Sequence, residues 1–432
     1  MSGDNGQLAP RREILAWALF DFANSSYTTV VTTAIFNAYF VKTIAERLPA
    51  SEATLCLTAA LGIANFLVVV TAPLIGAVAD RTAGKKKFLL AASAVCVICT
   101  VLFATIAPGE VLKAMLLLVT ANFAFGTCEN LIAAFLPDLA PREKLGKISA
   151  FGWTLGYLGG LFALGLCLAY VSLAQKAGQR AEQFVPVTML IVATIFTIAA
   201  APSFFWLKER VPAAAVSSSE LGEAIRRAFV QVRDTFLEAH RFGDLFTFLA
   251  SLFAFSCGTT TVVALAAVYA AQVMGFSTAD TIGMVMAVNV SAAGGAFLFG
   301  FIQERLGSVK SMACALALWI VAVSIAFLAR EKAVFWLSAV LMGMAMGASA
   351  SAGRALVGLL APSDRSAEFF GLWGLTVKLA AVVGPLTYGL CMLVTGSNYR
   401  LALLSTIAFF VCGLVIVLRV DERRGRSAAE KI

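Results

Sequence analysis

Twelve stretches of this chain are long and apolar enough to cross a lipid bilayer, and that repetition limits the fold more than any motif does. A hydrocarbon core of about 30 Å needs about 20 mainly apolar residues in a helix. Candidate spans lie at roughly 14–41, 55–79, 88–107, 111–136, 148–173 and 185–206, then 244–272, 281–303, 311–329, 333–360, 369–395 and 400–419. Most breaks between them carry Pro, Gly or charge, as in Pro108-Gly109, Pro137-Asp138 and Pro362-Ser363-Asp364. Lipid offers the backbone no hydrogen-bond partners, so such runs adopt helices. The expected fold class is an all-α polytopic membrane protein of twelve transmembrane helices. Composition agrees: 60% of residues are hydrophobic and only 13% charged, against about 25% charged in soluble domains. A soluble globule and a disordered chain are both excluded. Nine cysteines over 432 residues are too sparse for a secreted disulfide scaffold. One histidine, His240, is too few for a histidine metal site and argues against a Ser/His/Asp hydrolase.

Residues 1–13 are polar, and the first apolar run is too long for a signal h-region, so it is expected to remain as helix 1. The formal net charge of +8 would suit nucleic acid in a soluble protein. Here the basic residues gather on one side of the bilayer, and no nucleic-acid partner is expected. With the N-terminus inside, inner segments hold 24 of the 33 Lys and Arg, outer segments hold eight, and Lys378 lies within a span. The positive-inside rule then places both termini in the cytoplasm. The one long polar stretch, 207–243, separates a half at 1–206 from a half at 244–432. Ser217 and Glu220 fit a capping box there, and Leu221, Ile225, Phe229, Val232 and Phe236 follow at helical spacing. Either an interfacial amphipathic helix or a soluble helix packed under the bundle accounts for this pattern.

An internal repeat relates the halves. Gly76-Ala-Val-Ala-Asp80-Arg81 follows helix 2, and Gly300-Phe-Ile-Gln-Glu304-Arg305 ends helix 8, 224 residues later. Phe151-Gly152 opens helix 5 and Phe370-Gly371 opens helix 11, 219 residues later. Both matches link helices six spans apart, as in transporter folds built from parallel repeats with the site at their interface. In the Gly-x-x-x-acid-Arg segment the glycine permits close helix approach. The acid and Arg can bond helix ends on the inner face, so Gly76, Asp80, Arg81, Gly300, Glu304 and Arg305 form a candidate cytoplasmic gate. A positive-inside loop carrying a stray acid is the alternative.

With twelve spans and this doubled motif, the chain resembles the major facilitator superfamily. The stretches "WALFDFANSSYTT" (17–29), "FLPDLAPREKLGKISAFGWTLGYLGG" (135–160) and "GRALVGLLAPSDRSAEFFGLWGLTVKLAAVVGPLTYG" (353–389) are similar to its vacuole effluxer-like branch. That branch comprises autophagy-linked vacuolar amino-acid exporters and bacterial relatives. The resemblance implies two pseudo-symmetric six-helix halves, with helices 1, 4, 7 and 10 lining a central cavity and amino acids as cargo. It also implies that Asp21, Asn24, Asn130, Arg354 and Lys378 occupy positions the family tends to keep. Family members often have Pro where Asn37 stands, and Gln and Ser where Ala350 and Gly353 stand.

Ionisable groups within spans are costly and are candidates for function. Asp21, Glu129, Arg354 and Lys378 all fall roughly 10–14 Å in from the cytoplasmic side at about 1.5 Å per residue. The two acids come from the first half and the two bases from the second. They are either locally neutralised groups that serve folding or a charge cluster across the interface. Such a cluster could close the inner gate, bind a zwitterion or exchange protons. Asp21, Asn24, Ser25 and Thr28 share one face of helix 1, as do Asn122, Gly126 and Glu129 on helix 4, and Gly347, Ser351 and Arg354 on helix 10. Asn130 neighbours Glu129. Tyr27, Trp153, Tyr157 and Trp373 are candidate cavity aromatics, with ordinary packing as the alternative. Gly152, Gly156, Gly159 and Gly160 give helix 5 a small-residue face. No phosphate-binding loop appears, no metal site is expected, and the energy source should be a proton or sodium gradient without a cofactor.

The expectation is a non-enzymatic secondary transporter, monomeric, moving a small organic solute by alternating access. Proton coupling is expected, with amino acids as first cargo and export as the direction. A lipid flippase, or an exporter of another metabolite or drug, is the alternative on the same fold. The membrane is the bacterial cell membrane, or the vacuolar one in a eukaryote.

Overall fold

The computed structural model describes residues 8–82, 84–141, 144–210, 226, 230, 242–276, 278–395 and 398–430. Twelve helical segments run back and forth between two faces. The first half contributes α1 (Arg11–Tyr27, continued to Ile44), α2 (Ala50–Arg81), α3 (Lys85–Leu102), α4 (Val111–Ala133), α5 (Leu145–Lys176) and α6 (Ala181–Trp206). The second contributes α7 (Gly243–Met274), α8 (Thr278–Leu306), α9 (Ser308–Leu328), α10 (Lys332–Leu360), α11 (Ser366–Val394) and α12 (Tyr399–Val417). A short helix, α13 (Glu422–Glu430), closes the chain. The helix expected at 217–236 lies outside the described residues apart from Arg226 and Val230.

Eleven of these helices are continuous and apolar enough to span a bilayer; α1 is the interrupted twelfth. After Tyr27 it widens into π-helical turns at Thr28–Ala34 and Phe40–Ile44. The Ile35 and Ala45 N–H groups reach back five residues to the Val30 and Phe40 carbonyls. Crowded β-branched threonines disfavour a regular turn, and their hydroxyls bond the backbone instead: Thr32 and Thr33 both donate to the Thr28 carbonyl. The Asn37 amide donates to the Thr32 carbonyl at 2.6 Å, so Asn37 serves the widened turns at the position where Pro is common in the resembled family.

Small residues set the helix spacing. A Cβ at Gly159 would strike the Phe22 carbonyl, and one at Gly160 would strike Thr29, so the glycine face of α5 lies against α1. In the second half a Cβ at Gly347 would collide with the Ala292 carbonyl of α8. Gly384, beside Pro385 within the continuous α11, approaches the Cys257 carbonyl of α7 in the same way.

The first and last described helices are tied down on one face. Glu13, 1% exposed, takes a two-pronged bond from Arg210 at 2.8 and 2.9 Å. Asp244 holds Arg424 at 2.7 Å through both carboxylate oxygens, and Glu422 accepts the Ser308 and Val309 N–H groups at the start of α9.

Gly347→Ala should lower the melting temperature in detergent by the equivalent of about 1–3 kcal/mol of overpacking. Gly165→Ala, where a Cβ meets nothing within 4 Å, should be neutral or stabilising by up to about 1 kcal/mol. Thermal unfolding of the two variants side by side reads the difference.

Candidate functional site

The halves enclose a cavity of about 370 Å³. On the termini face the halves press together along two seams, α2 on α11 and α5 on α8. Gly76 meets the Ala367 backbone, Gly371 meets the Ala72 carbonyl, Gly146 meets Gln303 and Gly300 meets Ala150. The Ser149 hydroxyl donates to the Ser351 carbonyl at 2.8 Å. Above these contacts the cavity lining reaches Thr33, Leu164, Val263 and Phe335, so the cavity is closed toward the termini face and extends toward the opposite one.

Its floor holds two ion pairs that cross between the halves. Arg354 of α10 sets Nη1 2.8 Å from Asp21 Oδ2 of α1. Both residues are buried, and the guanidinium carbon lies 4.9 Å from the Trp17 ring and 4.8 Å from the Trp153 ring. Each such face contact is worth about 0.5–2 kcal/mol when desolvated. Trp17 is itself fixed by its indole N–H, which donates to the Ile132 carbonyl at 2.7 Å. Gly152 lies where a Cβ would collide with Asp21 Oδ2 and Trp17, so the glycine of α5 makes room for the pair. The second pair is looser: Lys378 Nζ of α11 stands 3.8 Å from Glu129 Oε2 of α4 and 6.0 Å from the Phe125 ring.

Several polar atoms here make no hydrogen bond within the described residues: Arg354 Nε and Nη2, Trp153 Nε1, Asn24 Oδ1 and Thr28 Oγ1. All belong to residues that line the cavity. Unpaired buried polar groups cost about 1–3 kcal/mol each, so this arrangement suits a polar guest. Above the floor the wall turns apolar with Val262, Met284, Val288, Phe335 and Met342.

Asp21, Asn24, Thr28, Glu129, Arg354, Trp153, Tyr157 and Trp373 thus meet around one space, and Lys378 joins through Glu129. Four expected residues lie elsewhere. Tyr27 is fully buried and stacks at 5.3 Å on Phe125, a residue of the cavity lining, so it stands behind the wall and does not itself line the cavity. Asn122 donates to the Leu118 carbonyl of its own helix. Asn130 packs on Gly374 between α4 and α11. Ser351 is buried in the seam with α5, accepting from Ser149. Helical faces drift by the fraction of a turn separating these positions, and Gly126 and Gly347 show where the faces of α4 and α10 point: onto Val68 and Ala292. The lining also draws on α5 and α8 besides helices 1, 4, 7 and 10.

The doubled acidic motif is used unequally. Asp80, 5% exposed, accepts the Ala367 and Glu368 N–H groups at 3.2 and 2.9 Å, at the start of α11, where unpaired N–H groups favour an anion. Lys85 stands 3.3 Å from it and 3.9 Å from Asp138, and donates to the Ser366 hydroxyl at 2.6 Å. The charge partner of Asp80 is therefore Lys85, read from the sequence only as part of a basic loop; the side chain of Arg81 lies outside the described residues. Glu304 instead pairs with Lys147 at 3.7 Å, half in solvent, and Arg305 is exposed. In both seams the bond across the halves comes from the acid; Arg305 points out of its seam. Trp17, four residues before Asp21, shares its helix face, the one sequence signal for its place under Arg354.

A family model described as "Vacuole effluxer Atg22 like" matches residues 53–430. The uncharacterized MFS-type transporter YxiO of Bacillus subtilis is 25% identical over 425 residues, covering 96% of each chain. Autophagy-related protein 22 of Yarrowia lipolytica is 26% identical over 340 residues, 73% of this chain and 57% of that protein. Among solved structures, the major facilitator proton:xylose symporter XylE superposes with a TM-score of 0.70 at 17% identity, covering 97% of this chain and 96% of that one.

Asp80→Asn should loosen the α2–α11 seam, since removing one partner of a buried pair costs about 3–5 kcal/mol. Spin labels at Lys87 and Lys310, in a cysteine-depleted background, should report longer and broader distances than in the parent. Unchanged distances would make the network a folding element only.

Proposed function

The chain belongs to the vacuole effluxer Atg22-like family of the major facilitator superfamily, and we propose that it is a proton-coupled secondary transporter whose cargo binds on the Asp21–Arg354 floor. Membership makes it an MFS-type transporter in a multi-pass membrane fold. The finer reading rests on one observation: a cavity between the halves whose floor carries two cross-half ion pairs together with unengaged donors and acceptors. An element that binds cargo and also bonds the two halves couples occupancy to their relative position, which alternating access requires.

Both termini are assigned to the cytoplasm by the positive-inside distribution, so this conformation is the outward-facing one. Asp80 of α2, bonded to the start of α11, and Glu304 of α8, paired with Lys147 of α5, then act as the cytoplasmic gate. An amino acid suits the floor: its carboxylate meets Arg354, its ammonium meets Glu129, and the apolar wall takes the side chain. The protein works as a monomer, and export is the proposed direction, which a proton gradient drives out of the more acidic compartment when cargo and proton move together, with sodium as the alternative ion.

Proteoliposomes loaded with a pH-sensitive dye test this directly. Pools of amino acids added outside should elicit proton movement with the parent protein. Asp21→Asn should abolish it while leaving cargo exchange measurable. Arg354→Ala should cut exchange by roughly 30-fold or more, since truncating one partner of a buried charge pair costs about 2–5 kcal/mol. Sealed, folded samples that give no flux with any pool would sink the amino-acid and proton reading.

A further inference from the structure

The contact between Arg354 and Asp21 is one-sided. Only Nη1 faces the carboxylate, at 2.8 Å, while Nε and Nη2 make no hydrogen bond within the described residues. The Trp17 and Trp153 rings at 4.9 and 4.8 Å cover the guanidinium. Arginine binds a carboxylate best through two parallel N–H groups, so a full partner needs the Nε–Nη2 edge, which is buried in this conformation and is uncovered when Asp21 gives way. The Trp153 indole N–H is also without a partner, on a ring that covers the guanidinium at 4.8 Å. The apolar wall of Val262, Val288, Phe335 and Met342 stands over the same floor. The site is therefore a receptor for a carboxylate with an apolar body, and its best donor group is occupied in part by the protein's own acid.

We infer that Asp21 is an internal stand-in for the carboxylate of the cargo: an incoming carboxylate takes over Arg354, and Asp21 gives up the guanidinium by accepting one proton. This rests on reading the cavity as the cargo site. The charge balance requires the exchange. One guanidinium neutralises one carboxylate, and a second ionised carboxylate left in an apolar cavity without a cation is costly. The proton, drawn from bulk solvent through the open cavity onto a carboxylate oxygen of Asp21, cancels the negative charge that the cargo's carboxylate brings to Arg354. The groups facing Asp21 leave no other route. Arg354 comes from α10, Gly152, Gly156 and Tyr157 come from α5, and Glu129 comes from α4 with Lys378 of α11 already beside it. On the far side of α1, α6 presents Phe196 and Phe204 against Phe20.

The test is equilibrium binding to the purified full-length protein, read by tryptophan fluorescence, with four probes: phenylalanine, 3-phenylpropanoate, 3-phenylpropanamide and 2-phenylethylamine. The two carboxylates should bind at least tenfold tighter than the amide and the amine. Their affinity should fall as pH rises from about 6 to about 8, approaching tenfold per unit because binding takes up one proton. Asp21→Asn should bind the carboxylates as tightly as the parent or better, with no pH dependence. Glu129→Gln should keep the parent's pH slope. Amide or amine binding as tight as the acid, a flat profile in the parent, or a slope that survives in Asp21→Asn and vanishes in Glu129→Gln would each overturn the inference. The panel and the parent's slope decide the matter even if a variant fails to fold. Carboxylate binding without vesicle flux would sink the transport reading and leave this one standing; flux indifferent to the carboxylate would do the reverse.

Discussion

The ion pair between Asp21 and Arg354 is the constraint around which the rest of the structure is arranged. A charge pair this deep gains little net stability, because the desolvation of both ions offsets most of their attraction. It persists because the surroundings were built to it: Gly152 clears space for the carboxylate, two indoles cover the guanidinium, and Trp17 is pinned to the Ile132 carbonyl. Since the acid rides on α1 and the base on α10, neither half can complete this floor alone. The seams nearer the termini face, α2 on α11 and α5 on α8, hold the halves together beneath the pair.

Helix number, helix limits and the depth of the four charges were legible in the sequence because the bilayer imposes them. A span must be apolar and about 20 residues long, and a charge inside one stands out against that background. Which charges pair was not legible. Asp21 with Arg354 and Glu129 with Lys378 are choices between helices, and one chain read alone gives depth without direction. The same lack misplaced Asn122, Asn130, Ser351 and Tyr27. Each lies at the right height but on a side of its helix that faces a neighbour. Glycine was the more informative residue, since Gly126, Gly347 and Gly374 each mark a backbone approach that no cavity can occupy.

Lys85 shows a second limit. In a run of three lysines beside Arg81 it reads as one more positive-inside charge, yet it is 1% exposed and joins Asp80, Asp138 and Ser366 at the start of α11. Lysine carries a long apolar stem, and nothing in composition tells a snorkelling lysine from a buried one. The π-helical turns of α1 were equally hidden. They rest on five-residue backbone bonds from Ile35 to Val30 and from Ala45 to Phe40, with the Thr32, Thr33 and Asn37 side chains bonding the backbone between them, a pattern that apolar periodicity averages away.

The two copies of the Gly-x-x-x-acid-Arg segment have aged differently. Asp80 and Lys85 are 2% and 1% exposed at their side chains, whereas Glu304 and Lys147 are 29% and 50% exposed. Mobile ions screen exposed charges within about 8 Å at physiological ionic strength and reach buried ones far less. The adjoining compartment's salt therefore acts on one seam and leaves the other untouched. One seam is thus held by a buried bond indifferent to the medium and the other, on the same face, by a bond that answers to it, so ionic strength biases the two seams unequally even though the repeat that produced them was symmetric.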